Sequence, residues 1–169
     1  MEEGLLIATL LVVMLIFAIT TEINSYLQSF NVLLSFEKDF ENIKLPVVKL
    51  KSGNTVLNFL VDSGAQASYI DENVLDLINV SKVPETEGIV IGINNTSCKT
   101  GLCNVVLQNE NHIMEFQMQT FDFKKVICND EDLTGGITIA GLLGSDFLQK
   151  YKGVIDYKHK LVKLCPKNQ

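Results

Sequence analysis

The stretch FLVDSGAQASYI, residues 59–70, places a lone carboxylate at the end of an apolar run. Burying a carboxylate is unfavourable unless the group is paired or used in chemistry. Asp62 is followed by Ser63 and Gly64, which are ordinary turn formers, so a simple β-turn is one interpretation. The other interpretation is a functional acid, because Gly64 allows a tight backbone turn and the Ser63 hydroxyl can hydrogen-bond to a close neighbour.

From about Ile43 onward, the sequence predicts a domain rich in short β-strands. Alternating or apolar segments are separated by turn residues such as Ser-Gly-Asn and Asn-Asn-Thr. Many short strands with two short helical turns are typical of a small β-barrel or sandwich-like domain. The predicted strands and hairpins are residues 45–51, 55–61, 88–108, 109–123 (a pair of strands) and 153–164, and the predicted helical turns are residues 71–79 and a segment that begins near Ser145.

Two further elements accompany the Asp62 loop. Leu142, Leu143 and Gly144 are followed by the short helical segment SDFLQKY, and the chain closes with the hairpin GVIDYKHKLVKL. In this order and spacing, the sequence resembles the retropepsin-like (retroviral-type) aspartic proteases over about residues 43–164. The resemblance implies an all-β, small closed β-barrel-like acid protease (retropepsin) fold with one or two short helices.

The resemblance also implies a chemistry, peptide-bond hydrolysis by an aspartic endopeptidase. Asp62 matches the catalytic acid, and Ser63, Gly64 and Ala65 match the rest of the active-site loop. The reaction requires two carboxylates, and the sequence contains one Asp-Ser-Gly element. The resemblance therefore implies a homodimer in which Asp62 of each subunit meets the other, acting on a protein or peptide substrate with no cofactor and no metal.

Two groups of residues have supporting roles in this comparison. Leu142, Leu143 and Gly144 would support the catalytic loop from behind. A flap hairpin would close over an extended peptide and exclude water. The flap and substrate-binding residues that the resemblance implies are Ile91, Gly92, Ile93, Asn94 and Asn95.

The sequence departs from the viral pattern at two matching positions. Retroviral enzymes usually carry an acid two residues after the loop glycine, paired with an arginine after the second glycine. Gln66 and Ser145 stand at those positions here, so both halves of the ion pair are missing together. The neighbouring Asp146 fits an early position of the predicted helix.

The N-terminal segment Gly4–Ile19 is continuously apolar apart from Thr9, and Thr20 and Thr21 extend it without charge. This pattern predicts a single-pass transmembrane anchor over residues 1–21, with a cleaved signal peptide as the alternative. Residues 22–42 are predicted to form a juxtamembrane linker, helical over 22–36, and residues 43–169 the protease domain. No lysine precedes the predicted anchor, and the first one after it is Lys38. This slight excess of positive charge on the C-terminal side favours a protease domain on the cytoplasmic side of the membrane.

The composition excludes a nucleic-acid-binding role. The net charge is −6 and the chain has no arginine, whereas such binding needs a basic surface. The four cysteines and two histidines lack the spacing of a zinc site. Two alternatives to the enzyme remain: a non-proteolytic, membrane-tethered dimeric protein-binding module with the same fold, and a structural β-domain in which the Asp62 turn is incidental.

Overall fold

The computed structural model describes residues 2–28, 32–78, 80–83, 88–91, 97–110, 112–123 and 135–165. The chain forms two compact units, Met1–Asn31 and Val32–Gln169. The predicted domain division at residues 21 and 42 stays a prediction. The first unit contains one α-helix, α1 (Glu2–Gln28).

The membrane anchor predicted for residues 1–21 is wrong. Among the described residues, no helix has both the length and the apolar character needed to cross a membrane. The continuous apolar run Gly4–Ile19 rises by about 24 Å at about 1.5 Å per residue, whereas a bilayer core is about 30 Å thick. The extension of this run by Thr20 and Thr21 adds two residues with hydroxyl groups, which donate to the carbonyls of Ile16 and Phe17. The predicted membrane localisation, which depended on this anchor, is therefore wrong as well.

The second unit is dominated by short strands, as predicted. Its helices within the described residues are α2 (Glu37–Ile43), a 3₁₀-helix (Glu72–Leu77) and α3 (Ser145–Lys150). Its strands within the described residues are β1 (Val32–Ser35), β2 (Val47–Ser52), β3 (Thr55–Val61), β4 (Tyr69–Asp71), β5 (Val80–Lys82), β6 (Gly88–Ile91), β7 (Ser97–Asn109), β8 (His112–Phe121), β9 (Gly141–Leu143), β10 (Val154–Asp156) and β11 (Leu161–Leu164).

Six of these described strands close into a barrel in the order β2-β3-β9-β4-β8-β7. A pairing of Lys51 with Gln108 joins β2 back to β7. The barrel is built from two antiparallel hairpins, β2–β3 and β7–β8, with the three-residue strands β4 and β9 between them. The predicted small closed β-barrel with short helices is confirmed.

The hairpins form because their apolar residues alternate and fill the barrel. Val48, Leu50, Phe59 and Val61 are almost completely buried, while the residues between them face outward or are partly exposed. A turn at Gly53, whose φ is 59°, connects β2 to β3, and glycine adopts this conformation without steric cost.

Residues 109–123, predicted to be a pair of strands, instead form one strand, β8, preceded by a turn. His112 pairs with Asn109, and Glu110 adopts a positive φ of 49°. The turn therefore comes at the start of the segment, and the alternating residues that follow continue without interruption to Phe121.

A second, three-stranded sheet has the order β1-β11-β10. Its β10–β11 hairpin confirms the one predicted for residues 153–164. The helix predicted over residues 22–36 is wrong in its second half, because Val32–Ser35 pairs with Leu161–Leu164 as strand β1. Val32 and Leu34 are buried and the residue between them is exposed, which is the alternation of a strand and not of a helix.

Candidate active site

The acid of the opening motif lies where strand β3 ends. Phe59 and Val61 are buried in the barrel, and Asp62 is half-buried at its rim. The Asp62 backbone N–H donates to the carbonyl of Leu143 at 3.0 Å. The carboxylate therefore leaves the apolar strand at the point where the chain reaches the surface, so the cost of burying it is reduced.

The loop that follows Asp62 turns back on itself. The N–H of Gly64 donates to Asp62 Oδ1 at 2.9 Å, and the N–H of Ala65 donates to the Asp62 carbonyl at 3.2 Å. Ser63 and Gly64 are exposed, and Ala65 is half-buried. The turn interpretation of the motif is thus correct as local geometry, and the turn fixes one oxygen of the carboxylate.

Strand β9 lies between the two strands that flank this loop. It pairs in parallel with β3 and antiparallel with β4. Leu143 is buried and Leu142 is half-buried. Gly141 permits this close approach, because a Cβ there would lie 2.6 Å from the carbonyl oxygen of Tyr69 and 2.5 Å from the ring of Phe59.

Gly144 follows β9 and lies directly against the Asp62 loop. A Cβ at this position would lie 2.5 Å from the carbonyl oxygen of Ala67 and 2.9 Å from that of Ala65. Leu143 and Gly144 therefore contact the Asp62 loop, and Leu142 pairs with Leu60 and Tyr69 on either side of it. The supporting role of these three residues stays a prediction.

The two positions that depart from the viral ion pair also lie side by side. Ser145 Oγ donates to the carbonyl oxygen of Gln66 at 3.2 Å. The Ser145 N–H donates to the carbonyl of Ala65 at 2.8 Å. The helix α3 is thus joined to the Asp62 loop through neutral hydrogen bonds.

Sequence reasoning missed a pair of residues next to these positions. Asp146, predicted to be only an early helix residue, accepts from the Ser68 hydroxyl at 2.6 Å and from the Ser68 N–H at 2.9 Å. The same hydroxyl accepts from the N–H of Gly144 at 2.9 Å. Burial, and to a smaller degree the nearby Asp146 charge, raises the pKa of Tyr69. The available sequence signal was a serine six residues after Asp62 and an acid two residues after Gly144.

The predicted flap is partly within the described residues. Strand β6 pairs with β7 so that Ile91 lies opposite Ser97, which is consistent with a hairpin at this position. Gly92, Ile93, Asn94 and Asn95 lie outside the described residues. Within the described part of the chain, no group of three or more His, Cys, Asp or Glu side chains is placed to hold a metal ion.

Comparison with known families decides the assignment. Residues 43–156 match the family described as "Retroviral aspartyl protease". The chain belongs to this retroviral aspartyl protease family. The resemblance predicted from the Asp62 loop and from Leu142–Gly144 is therefore confirmed.

Two solved structures are similar to this retroviral aspartyl protease family member. The structure "EIAV protease complexed with the inhibitor HBY-793" has 21% sequence identity and a TM-score of 0.44, covering 62% of this chain and 86% of that one. The "crystal structure of retroviral protease-like domain of Ddi1 from Leishmania major" has 17% identity and a TM-score of 0.47, covering 74% and 97%. No curated protein sequence matches the chain.

Proposed function

We propose that the chain is an aspartic endopeptidase that works as a homodimer, with one Asp62 from each subunit in a shared catalytic pair. The observation that carries this proposal is the geometry of the Asp62 loop in this family member. Asp62 directly follows the buried strand β3, and the Gly64 N–H donates to its Oδ1 at 2.9 Å. The same hydrogen bond also occurs in purely structural turns, so the catalytic use of Asp62 is supported by this geometry together with the family match over residues 43–156.

The dimer follows from the chemistry. Hydrolysis by this route uses two carboxylates, and the sequence has one Asp-Ser-Gly element. Asp146, on the helix next to the loop, is occupied by three hydrogen bonds from Ser68 and Phe147. A second copy of Asp62 is therefore the natural source of the missing acid, and the exposed Ser63 and Gly64 leave this side of the loop open to another subunit.

The proposed reaction needs the two carboxyl groups to share one proton. Two like charges in contact cannot both ionise readily, so the pair keeps a proton to higher pH than an isolated acid. The ionised Asp62 accepts a proton from water as the water oxygen bonds to the scissile carbonyl carbon. Asp62 of the partner subunit donates its proton to the carbonyl oxygen. When the tetrahedral intermediate collapses, the C–N bond breaks, the leaving amine takes a proton from the protonated carboxyl group, and the other carboxylate accepts a hydroxyl proton of the intermediate, so the pair again holds one proton.

The substrate in this proposal is an extended peptide. In such binding, main-chain hydrogen bonds provide affinity and alternate side chains enter pockets. Gly64 would offer its backbone to the peptide, Ala65 would leave space beside it, and Ser63 would hydrogen-bond across the dimer to the opposite loop. The flap residues Ile91–Asn95 would close over the peptide and exclude water.

Cleavage of a peptide library by the purified full-length chain tests the proposal. We expect pepstatin-sensitive cleavage in the wild type between acidic and neutral pH, and its loss in Asp62→Asn. The matched control is Asp76→Asn, because Asp76 is an exposed acid on the 3₁₀-helix. We expect this control to cleave like the wild type.

Two results would contradict the proposal. If the folded wild type cleaves no peptide over this pH range, the protein-binding alternative takes precedence. If Asp62→Asn cleaves as well as the wild type, Asp62 is not the catalytic acid.

A further inference from the structure

The Ser68 hydroxyl is buried between the end of strand β9 and helix α3. Ser68 is 1% exposed. Its oxygen accepts from the N–H of Gly144 at 2.9 Å, and its proton is donated to Asp146 Oδ1 at 2.6 Å. These directions are the only ones possible with an ionised carboxylate, because an N–H only donates and a carboxylate only accepts. The three groups therefore form a directed chain of hydrogen bonds, in which each bond polarises the next.

Both oxygens of Asp146 are held in this arrangement. Oδ1 accepts from Ser68 Oγ and from the N–H of Phe147 at 2.7 Å, and Oδ2 accepts from the Ser68 N–H at 2.9 Å. Hydrogen bonds to an ionised acceptor are shorter and stronger than neutral ones. A carboxylate with three donors on two oxygens has one orientation, and it fixes the backbone of Ser68 as well as its side chain.

The contact between Ser68 and Asp146 attaches the C-terminal end of the Asp62 loop to helix α3. The near end is held by the bond from Asp62 N–H to the Leu143 carbonyl, and the middle by the bonds from Ser145 N–H and Oγ to the Ala65 and Gln66 carbonyls. Ser68 provides the third attachment. All three attachments reach the same short segment at the end of β9 and the start of α3, and the Ser68 attachment is the one that involves a charge.

We propose that Ser68 and Asp146 are positioning residues for catalysis, and that their hydrogen-bond chain through the Gly144 amide fixes the loop that carries Asp62. This inference rests on the proposed function. The pair does not touch the reacting atoms. It acts by holding the loop against β9 and α3, so that two Asp62 carboxylates can meet with the separation that the reaction needs. Small displacements of reacting groups reduce rates strongly, by about 100-fold for about 1 Å.

Peptide cleavage by Ser68→Ala and Asp146→Ala in the full-length chain tests the inference. We expect kcat to fall at least about 10-fold in each variant, with KM changed much less, because the loop is misplaced while the peptide still binds. The double variant should lose about as much as either single one, because the two residues act as one unit. Ser68→Thr keeps the hydroxyl and should restore most of kcat.

Ser52→Ala is the matched control. Ser52 is also 1% exposed, and its hydroxyl has no hydrogen-bond partner among the described residues. Its removal should leave kcat and KM unchanged, so a loss specific to Ser68 cannot be attributed to deletion of any buried hydroxyl.

Hydrogen exchange of the Gly144 amide provides a readout that does not depend on activity. We expect exchange to accelerate in Ser68→Ala and to stay at the wild-type rate in Ser52→Ala. If Ser68→Ala matches Ser52→Ala in both kcat and exchange, or if the two single losses add fully in the double variant, the inference is overturned. If the wild type cleaves no peptide, the proposed function and the catalytic role fail together, and the exchange rate still decides whether the pair fixes the loop.

Discussion

The backbone N–H of Asp62 donates to the carbonyl oxygen of Leu143 at 3.0 Å, which joins the acid of the family motif to the strand that lies between β3 and β4. The bond continues the parallel pairing of Val61 with Leu143. The position of the Asp62 loop is therefore set by how closely β9 fits between its neighbours, and substitutions in or after β9 should displace the Asp62 carboxylate.

Gly144→Ala should damage both stability and activity. The φ of Gly144 is −88°, which alanine adopts readily, so the cost is steric. The added Cβ would lie 2.5 Å from the Ala67 carbonyl oxygen, and backbone cannot move aside as a side chain can. We expect the free energy of unfolding to fall by about 2 kcal/mol in urea titrations. We expect kcat/KM to fall at least about 10-fold, because the loop is displaced.

Gly153→Ala is the comparison for this prediction. A Cβ at Gly153 would lie 2.6 Å from Leu148 Cδ2, which is the end of a flexible side chain. The loss of stability should be smaller than for Gly144→Ala, with kcat/KM retained. Equal losses of activity in the two variants would contradict the link between Gly144 and the catalytic loop.

Tyr151→Phe should reduce stability and remove an alkaline transition. The Tyr151 hydroxyl donates to the Glu115 carbonyl at 2.8 Å, a bond whose loss costs about 1 kcal/mol. Burial, followed by the Glu115 charge, raises the pKa of Tyr151 from 10.0 to about 12. Because the folded state holds this proton more tightly, the contribution is complete below about pH 10 and is lost as pH rises through about 12.

Urea denaturation of the wild type and of Tyr151→Phe between pH 8 and pH 12 measures this effect. The difference between their free energies of unfolding should shrink above about pH 10. A constant difference over the whole range would show that the hydroxyl proton is not held by the fold.

Asp156 should make the β10–β11 hairpin sensitive to acid. Hydrogen bonds from Lys163 Nζ at 2.7 Å and from the His159 side chain and backbone hold the pKa of Asp156 well below its usual range. The stabilisation is therefore complete above the unfolded-state pKa and is lost as pH falls through the folded-state pKa.

Thermal unfolding of the wild type and of Asp156→Asn tests this prediction. The wild type should have the higher Tm at pH 6, and the difference should decrease progressively as the pH is lowered below about 4.5. A difference that grows on acidification would contradict the assignment.

Local sequence signals could predict those parts of the fold in which neighbouring residues alone determine the local structure. The Asp62 loop and the 153–164 hairpin were predicted because turn residues at their ends interrupt alternating apolar residues. Strand β1 was not predicted. Val32–Ser35 becomes a strand because it pairs with Leu161–Leu164, over a hundred residues later in the chain. Tertiary pairing overrides local periodicity in such short segments.

The candidate site also contains residues that the sequence motif indicates and a contact that the sequence does not indicate. The motif predicts roles in the site for Asp62, Gly64 and Gly144, and these roles stay predictions. It did not locate the contact between Ser68 and Asp146, since serine and aspartate are common in loops and at helix starts. Only the fold brings them within 2.6 Å. The anchor prediction failed for another reason, since apolar character was read over a stretch too short to span a bilayer.

The measurement that tests the shared catalytic pair most directly is a subunit-mixing experiment. Wild-type and Asp62→Asn full-length chains are unfolded, mixed in varied ratios at constant total concentration, refolded together and assayed for peptide cleavage. If each active unit needs Asp62 from two chains, activity follows the square of the wild-type fraction, about one quarter at an equal mixture. Activity that instead falls in direct proportion to the wild-type fraction, about one half at that mixture, would contradict the shared pair.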